Sequence, residues 1–185
     1  MFEIIKSHWE GIVAILALVT SVTSTLLTYR ALKLQRIHNA KSLKPILYLS
    51  PFDYENSLKI LLANNGVGPA IITNIQVEKN QHEIKPSIIE WLPEKLPNGM
   101  NYKEYLTESN NITLNAGNKG VMLELYLNPE VEKERTEREK IRGILRQLTV
   151  KIEYSDIYEN QMPIYEKKLD LFGRSDNENS TKVHS

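Results

Sequence analysis

The chain contains no cysteine, so disulfide frameworks and thiolate metal sites are excluded and no oxidising compartment is required. Nor does it have a charge of one sign to spare: 23 Lys and Arg stand against 23 Asp and Glu, a formal net charge of +0. Binding nucleic acid through its phosphates normally needs a basic excess or a basic face, so no nucleic-acid partner is expected. Histidines are few, and His8, His38, His82 and His184 each lack a neighbour at metal-ligand spacing. The G-x-S-x-G, H-E-x-x-H and phosphate-loop patterns are missing. Asp53 and Asp156 are candidate acids, but both read as turn residues, where aspartate serves local hydrogen bonds. These residues assemble no catalytic set, cofactor site or metal site, and the expectation is a protein that is not an enzyme.

What the chain does have is one long apolar run. Gly11 to Tyr29 holds no charged side chain, with Glu10 and Arg30 as its brackets and Trp9 and Tyr29 at its ends. Its nineteen residues at 1.5 Å each span about 28 Å, near the hydrocarbon thickness of a bilayer. Residues 1–10 then form a short N-terminal tail, and 11–29 a transmembrane helix. A cleaved signal peptide fits less well, because Glu3 and Glu10 oppose Lys6 and no small-residue cleavage site closes the run. The helix is expected to continue as a basic extension over 30–43, through Leu32, Leu34 and Ile37, and to end before Pro45.

The flanks give orientation. Arg30, Lys33, Arg36, Lys41 and Lys44 follow the run with no acid among residues 30–44. Lysine and arginine stay on the cytoplasmic side, which predicts a single pass through the inner (plasma) membrane, N-terminus outside and C-terminal domain cytoplasmic. The same five charges suit anionic lipid headgroups. Ala14, Ala17, Ser21, Ser24, Thr28 and Ala31 recur at spacings of three and four, so small residues line one seam of the helix. Small side chains let helices approach closely, which makes this a candidate seam for a homo-oligomer; the alternative is a chance alignment of residues common in such helices.

From residue 44 the hydropathy period switches to two. Pro45 to Leu49, Ser57 to Ala63, Pro69 to Glu78, Ile112 to Leu114, Val121 to Leu127, Leu148 to Tyr154 and Tyr165 to Leu171 read as strands. About seven short strands separated by Gly-, Asn- and Pro-rich turns predict a mainly β domain over 44–172, an Ig-like β-sandwich in preference to a small barrel. Gln81 to Leu106, with Pro86, Pro93 and Pro97, reads as an irregular loop with a helical turn near Ser87 to Trp91. Trp91 is expected to plug the core. A charged helix is inserted at 129–147, with Asn128 as N-cap and Pro129 at its first position. Pairs Glu134–Arg138 and Lys133–Glu137 at i,i+4 would support it as a solvated arm, with Val131, Ile141, Ile144 and Leu145 as its apolar side. The tail 173–185 is polar and expected to be disordered.

One segment is distinctive: Asn64-Asn65-Gly66-Val67-Gly68-Pro69-Ala70, or N-x-G-x-G-P-A, between two strands. Phosphate-cradling loops lead into a helix and carry Lys or Ser/Thr, whereas a β-branched strand follows here, so Asn64, Gly66, Gly68 and Pro69 read as a structural turn. With the apolar run and the hairpin Tyr154-Ser-Asp-Ile-Tyr158, the segment resembles bacterial single-pass inner-membrane proteins of uncharacterised function with a cytoplasmic Ig-like β domain. Those relatives often carry Gly where Glu159 stands here. The resemblance brings no activity. The functional expectation is a membrane-anchored interaction or scaffold module with a protein partner, itself a candidate homo-oligomer. The alternative is a ligand-responsive effector whose β domain senses a small signal and whose helices assemble to perturb the bilayer.

Overall fold

The computed structural model describes residues 2–80, 82–97, 99–107 and 110–173. The chain divides into two compact units, Met1–Ser42 and Leu43–Ser185.

The first unit is one helix, α1 (Phe2–Ser42). It meets no proline before Pro45, and its single glycine, Gly11, has open space around it. Gly11–Asn39 is long and apolar enough to cross a membrane, and none of its most apolar stretch is buried. The helix runs through Leu32, Leu34 and Ile37 as expected. It also takes in Phe2–Glu10, assigned from sequence to a tail, because nothing there breaks a helix.

The second unit is built from nine strands among the described residues: β1 (Leu47–Tyr54), β2 (Ser57–Asn64), β3 (Ala70–Lys79), β4 (Glu83–Lys85), β5 (Asn101–Tyr105), β6 (Ile112–Leu114), β7 (Lys119–Tyr126), β8 (Leu148–Ser155) and β9 (Tyr165–Lys168). They form two antiparallel sheets. The first has the order β1-β2-β7-β5; the second has the order β4-β3-β8-β9, with β6 also paired to β3. Alternation explains the core: Leu58, Ile60, Leu123 and Leu125 of the first sheet and Ile72, Ile75, Val150 and Ile152 of the second are buried in one cluster.

Two strands were not legible as strands. β4 and β5 lie within the stretch read as irregular, and their sequences, EIK and NYKEY, are mostly polar. They are edge strands held by the ladders of β3 and β7, so pairing forms them rather than an apolar pattern. The expected helical turn is present as a 3-10 turn over Ile89–Trp91. The last strand stops at Lys168, and the chain bends into a second 3-10 turn, Asp170–Gly173, that buries Leu169 and Phe172. Beyond it, the tail expected to be disordered lies outside the described residues from 174 on.

The inserted helix, α2 (Glu132–Leu145), departs from expectation in three ways. It starts at Glu132 behind Val131, not at Pro129. Asn128 does not cap it; its Oδ1 accepts from the Glu130 N–H (3.0 Å), closing a turn ahead of the helix. It is also no solvated arm: Ile141 and Leu145 are fully buried, and Glu134 and Arg142 are buried with them. In place of the i,i+4 pairs stand i,i+3 pairs, Lys140 with Glu137 (2.9 Å) and Arg142 with Glu139 (2.6 Å), and tertiary contacts. Glu134 Oε2 accepts from the Asn128 N–H (2.7 Å), while Arg138 and Arg142 turn to Asp53 on β1.

Candidate interaction surface

Strand pairing sorts the first sheet into an inward and an outward set, because antiparallel partners share a face. Leu47, Leu49, Leu58, Ile60 and Leu62 point into the core. The registers Tyr48↔Ala63, Ser50↔Leu61, Phe52↔Lys59 and Tyr54↔Ser57 place the other set outward, continued on β7 through Ser57↔Tyr126, Lys59↔Glu124 and Leu61↔Val121. The outward face is therefore rich in aromatic and apolar side chains. Tyr48 and Tyr54 are 50% and 54% exposed, Phe52 and Tyr54 stack at 5.8 Å, and Tyr126 stands at the far side with Lys103 Nζ 5.0 Å from its ring.

An ion-pair knot sits in the middle of this face. Glu124 is only 4% exposed although it points away from the core. Lys59 Nζ donates to its Oε1 at 3.0 Å, Lys103 Nζ lies 3.8 Å from Oε2, and the Tyr126 hydroxyl donates to Oε1 at 3.2 Å. Burial pushes the carboxyl up, but the Lys59 hydrogen bond, the charges of Lys59 and Lys103 and the Tyr126 hydroxyl outweigh it and hold Glu124 below its ordinary range.

The outward face of the second sheet is different in kind. Its rows read Ile84–Glu78–Thr149–Lys168 and Gln76–Lys151–Glu166, charged or polar except for the exposed Ile84 on the short edge strand β4, with Lys151 Nζ 2.9 Å from Glu78 Oε1. This is an alternating charged surface over an open groove of about 710 Å³, and it shows no aromatic side chain in those rows. One sheet thus offers water a charged lattice, whereas the other offers tyrosine and phenylalanine. Aromatic side chains with a polar tip are the ones enriched in protein interfaces.

The edge of the first sheet at β1 is closed to strand addition. Tyr165 from β9 donates no ladder bond there but lends its hydroxyl oxygen to the Leu49 N–H at 2.9 Å. Alternation gives Pro51 the same outward edge, where its missing N–H breaks no pairing with β2. Asp53, read from sequence as a turn residue, is in β1 and faces inward, where Arg142 Nε lies 2.9 Å from its Oδ2 and Arg138 engages Oδ1. Proline and an inward charge are standard protections of an edge. Strand addition at β1 is therefore disfavoured.

The other residues singled out from sequence fall as follows. Asp156 is a turn residue as expected: its carboxylate accepts from the Tyr158 and Asn160 N–H groups and from Asn160 Nδ2, all within 2.9 Å, and these outweigh burial to keep it below its ordinary range. Asn64 is fully buried. Its Oδ1 accepts from Ile46 N (3.1 Å) and Gly66 N (3.0 Å), and its Nδ2 donates to Gly68 O (2.8 Å) and Leu114 O (2.9 Å), so it bonds within its own turn and also ties that turn to two distant segments. Trp91 is partly buried against the core, with Lys85 Nζ 4.6 Å from its ring. Ala14, Ala17, Ser21, Ser24, Thr28 and Ala31 all lie on α1, exposed, and Arg30, Lys33, Arg36 and Lys41 follow on the same helix. Thr28 donates its hydroxyl to Ser24 O at 2.8 Å, and Thr20, Thr23 and Thr25 bond backward in the same way. Small size, rather than threonine donors, is what this stretch offers a second helix.

Sequence reasoning passed over Tyr48, Phe52, Tyr54, Lys59, Glu124 and Tyr126. The signal was the outward phase of the same alternation that marks the core, and only the strand register gathers its members on one surface.

A family model described as Domain of unknown function (DUF8453) matches residues 11–173. No curated protein and no solved structure matches the chain.

Proposed function

We propose that this chain, which belongs to the DUF8453 family, is a membrane-anchored, non-enzymatic interaction module that holds a protein partner at the bilayer surface. Its α1 supplies a single-pass anchor in the inner membrane, and the basic residues Arg30, Lys33, Arg36, Lys41 and Lys44 keep the C-terminal unit on the cytoplasmic side, against anionic headgroups. The two sheets form an Ig-like β-sandwich with α2 inserted between β7 and β8. The observation that carries the reading is the contrast between outward faces: aromatic on the first sheet, alternately charged on the second. A solvated face has no need of Tyr48, Phe52, Tyr54 and Tyr126, and exposed aromatic patches mark contact surfaces.

The test is affinity capture of the full-length chain from solubilised membranes, with Tyr54→Ser and Tyr126→Ser variants and a Lys168→Ala control on the second sheet. The expected result is a protein captured by the parent and the control and lost with the two tyrosine variants. Equal capture by all four removes the face from the function. Fractionation completes it: the chain should sediment with membranes, and protease added outside intact cells should spare the C-terminal unit.

A further inference from the structure

The outward face of the first sheet is complementary to itself. Along the β2–β7 ladder each row pairs unlike side chains: Ser57 beside Tyr126, Lys59 beside Glu124, and Leu61 beside Val121. The rows thus read small beside large, positive beside negative, and two half-buried apolar groups.

A two-fold axis lying in the face, parallel to the strands and midway between β2 and β7, keeps each row and exchanges the two columns. Lys59 then stands over Glu124 of the partner subunit, and Glu124 over the partner's Lys59, giving a square of four charges that alternate in sign. The Tyr126 ring stands over the partner's Ser57, and Leu61 over the partner's Val121. At the margins, Phe52 of β1 comes opposite the partner's Glu104, which the register sets beside Glu124, and the partner's Lys103 in the bulge next to it, an ammonium that already lies over an aromatic ring within one chain. No row places like charges or two large rings against each other.

We propose that this face is the interface of a symmetric homodimer, two copies of the chain packed sheet on sheet about that axis. The inference rests on the preceding reading of the face as an interaction surface and names its occupant. Self-complementarity of one patch is what a two-fold interface requires. The size is adequate: three strands of eight residues and one of five, at about 4.8 Å spacing and about 3.4 Å per residue, cover roughly 470 Å² of flat sheet, which projecting side chains extend toward the ~800 Å² per partner of specific complexes. Face-to-face sheets pack about 10 Å apart, which interdigitated tyrosines fill. Tethering both copies to one bilayer raises their effective concentration, so modest affinity suffices. The central charges set the register of the two copies, since a slip along the strands would oppose charge to apolar surface.

The experiment uses two differently tagged full-length copies, co-expressed and extracted in mild detergent, with capture through one tag and detection of the other. Parent copies should co-purify. Lys59→Glu alone opposes two carboxylates across the interface, and Glu124→Lys alone opposes two ammonium groups, so each should lower co-capture at least tenfold. Mixing the Lys59→Glu chain with the Glu124→Lys chain restores opposite charges across the interface, and co-capture should return to the parent level. A fold-only role of the ion pair leaves the mixture as poor as either variant and overturns the proposal, as does undiminished co-capture by the single variants. Should either charge variant fail to melt cooperatively, Leu61→Glu mixed with Val121→Lys makes the same test without like charges inside one chain. If parent copies never co-purify while the Tyr54→Ser variant still loses capture of a different protein, the homodimer is overturned and the interaction surface stands.

Discussion

The Asn64 side-chain amide donates to the Gly68 carbonyl oxygen over 2.8 Å, while its own oxygen takes the Ile46 N–H at 3.1 Å, so one residue ties a loop to the strand entry beside it. The backbone repeats the tie: Asn65 N–H bonds to Ile46 O at 2.8 Å and Val67 N–H to Lys44 O at 3.3 Å. The glycines make the closeness attainable. A Cβ at Gly68 would lie 1.8 Å from Leu43 O, and one at Gly66 would lie 2.4 Å from Ile46 N. The N-x-G-x-G-P-A segment is thus a clasp over Leu43–Ile46, the stretch through which the chain enters the domain from α1. Gly68→Ala should destabilise the domain by about 3 kcal/mol, and Asn64→Ala by at least ~2 kcal/mol, since it strands buried polar groups. Gly143→Ala, with open space around it in α2, should instead stabilise by about 0.5–1 kcal/mol. Urea denaturation of the three variants checks the order.

Asp53 is the point where α2 is fastened to β1. Two guanidiniums converge on one carboxylate, and Arg142 also meets Glu139 Oε2 at 2.6 Å. Replacing the acid leaves largely buried positive charge without its principal counter-ion. Asp53→Ala should cost about 3–5 kcal/mol. Chemical denaturation measures the loss, and hydrogen exchange should locate the first loosening in Glu132–Leu145.

Glu124 gives the stability curve an acid limb. Its folded carboxyl titrates below the ordinary value, so between the folded and unfolded values the unfolded chain binds more protons. The stabilisation is whole above the ordinary carboxylate range and is lost as pH falls through the depressed value. Glu124→Gln should be less stable than the parent at neutral pH and should lose less on acidification, which melting temperatures from about pH 7 down to about pH 3 would show.

Tyr102 acts at the other end. Burial, and then the charge of Glu137, raise it from 10.0 to about 12, while its hydroxyl donates to Pro93 O at 2.9 Å. A raised folded value means stability that is complete below the unfolded pKa and lost as pH rises from 10.0 through about 12. Tyr102→Phe should flatten this alkaline limb, followed by denaturation at about pH 9 and about pH 11.

Glu159 sits at φ 62, in the left-handed region where a side chain is strained. Glu159→Gly should therefore stabilise the chain by roughly 0.5–1 kcal/mol, the relief outweighing the added chain entropy of glycine. A calorimetric melt decides the sign.

Some of this was determined by the sequence alone. The uncharged run from Gly11 to Tyr29 dictates an apolar helix, because covalent order and local hydrogen bonding suffice for one. Alternation marked β2, β3, β7 and β8, since a strand with one buried face must repeat every two residues. The turn chemistry of Asp156 was legible because its hydrogen bonds are local, whereas Asn64 adds to its local bonds with Gly66 and Gly68 two distant ones, to Ile46 and Leu114, that the sequence did not show. Only the tertiary structure decided the rest. β4 exists through its hairpin with β3 and β5 through its ladder with β7, and Arg138 and Arg142 of α2 reach Asp53, 85 residues from Arg138, as well as Glu139 on their own helix. The aromatic face likewise needed the register of β1, β2 and β7 to bring Tyr54, Lys59 and Glu124 onto one surface. Sequence spacing fixes which side of its own strand a residue takes, and pairing alone fixes who stands beside it.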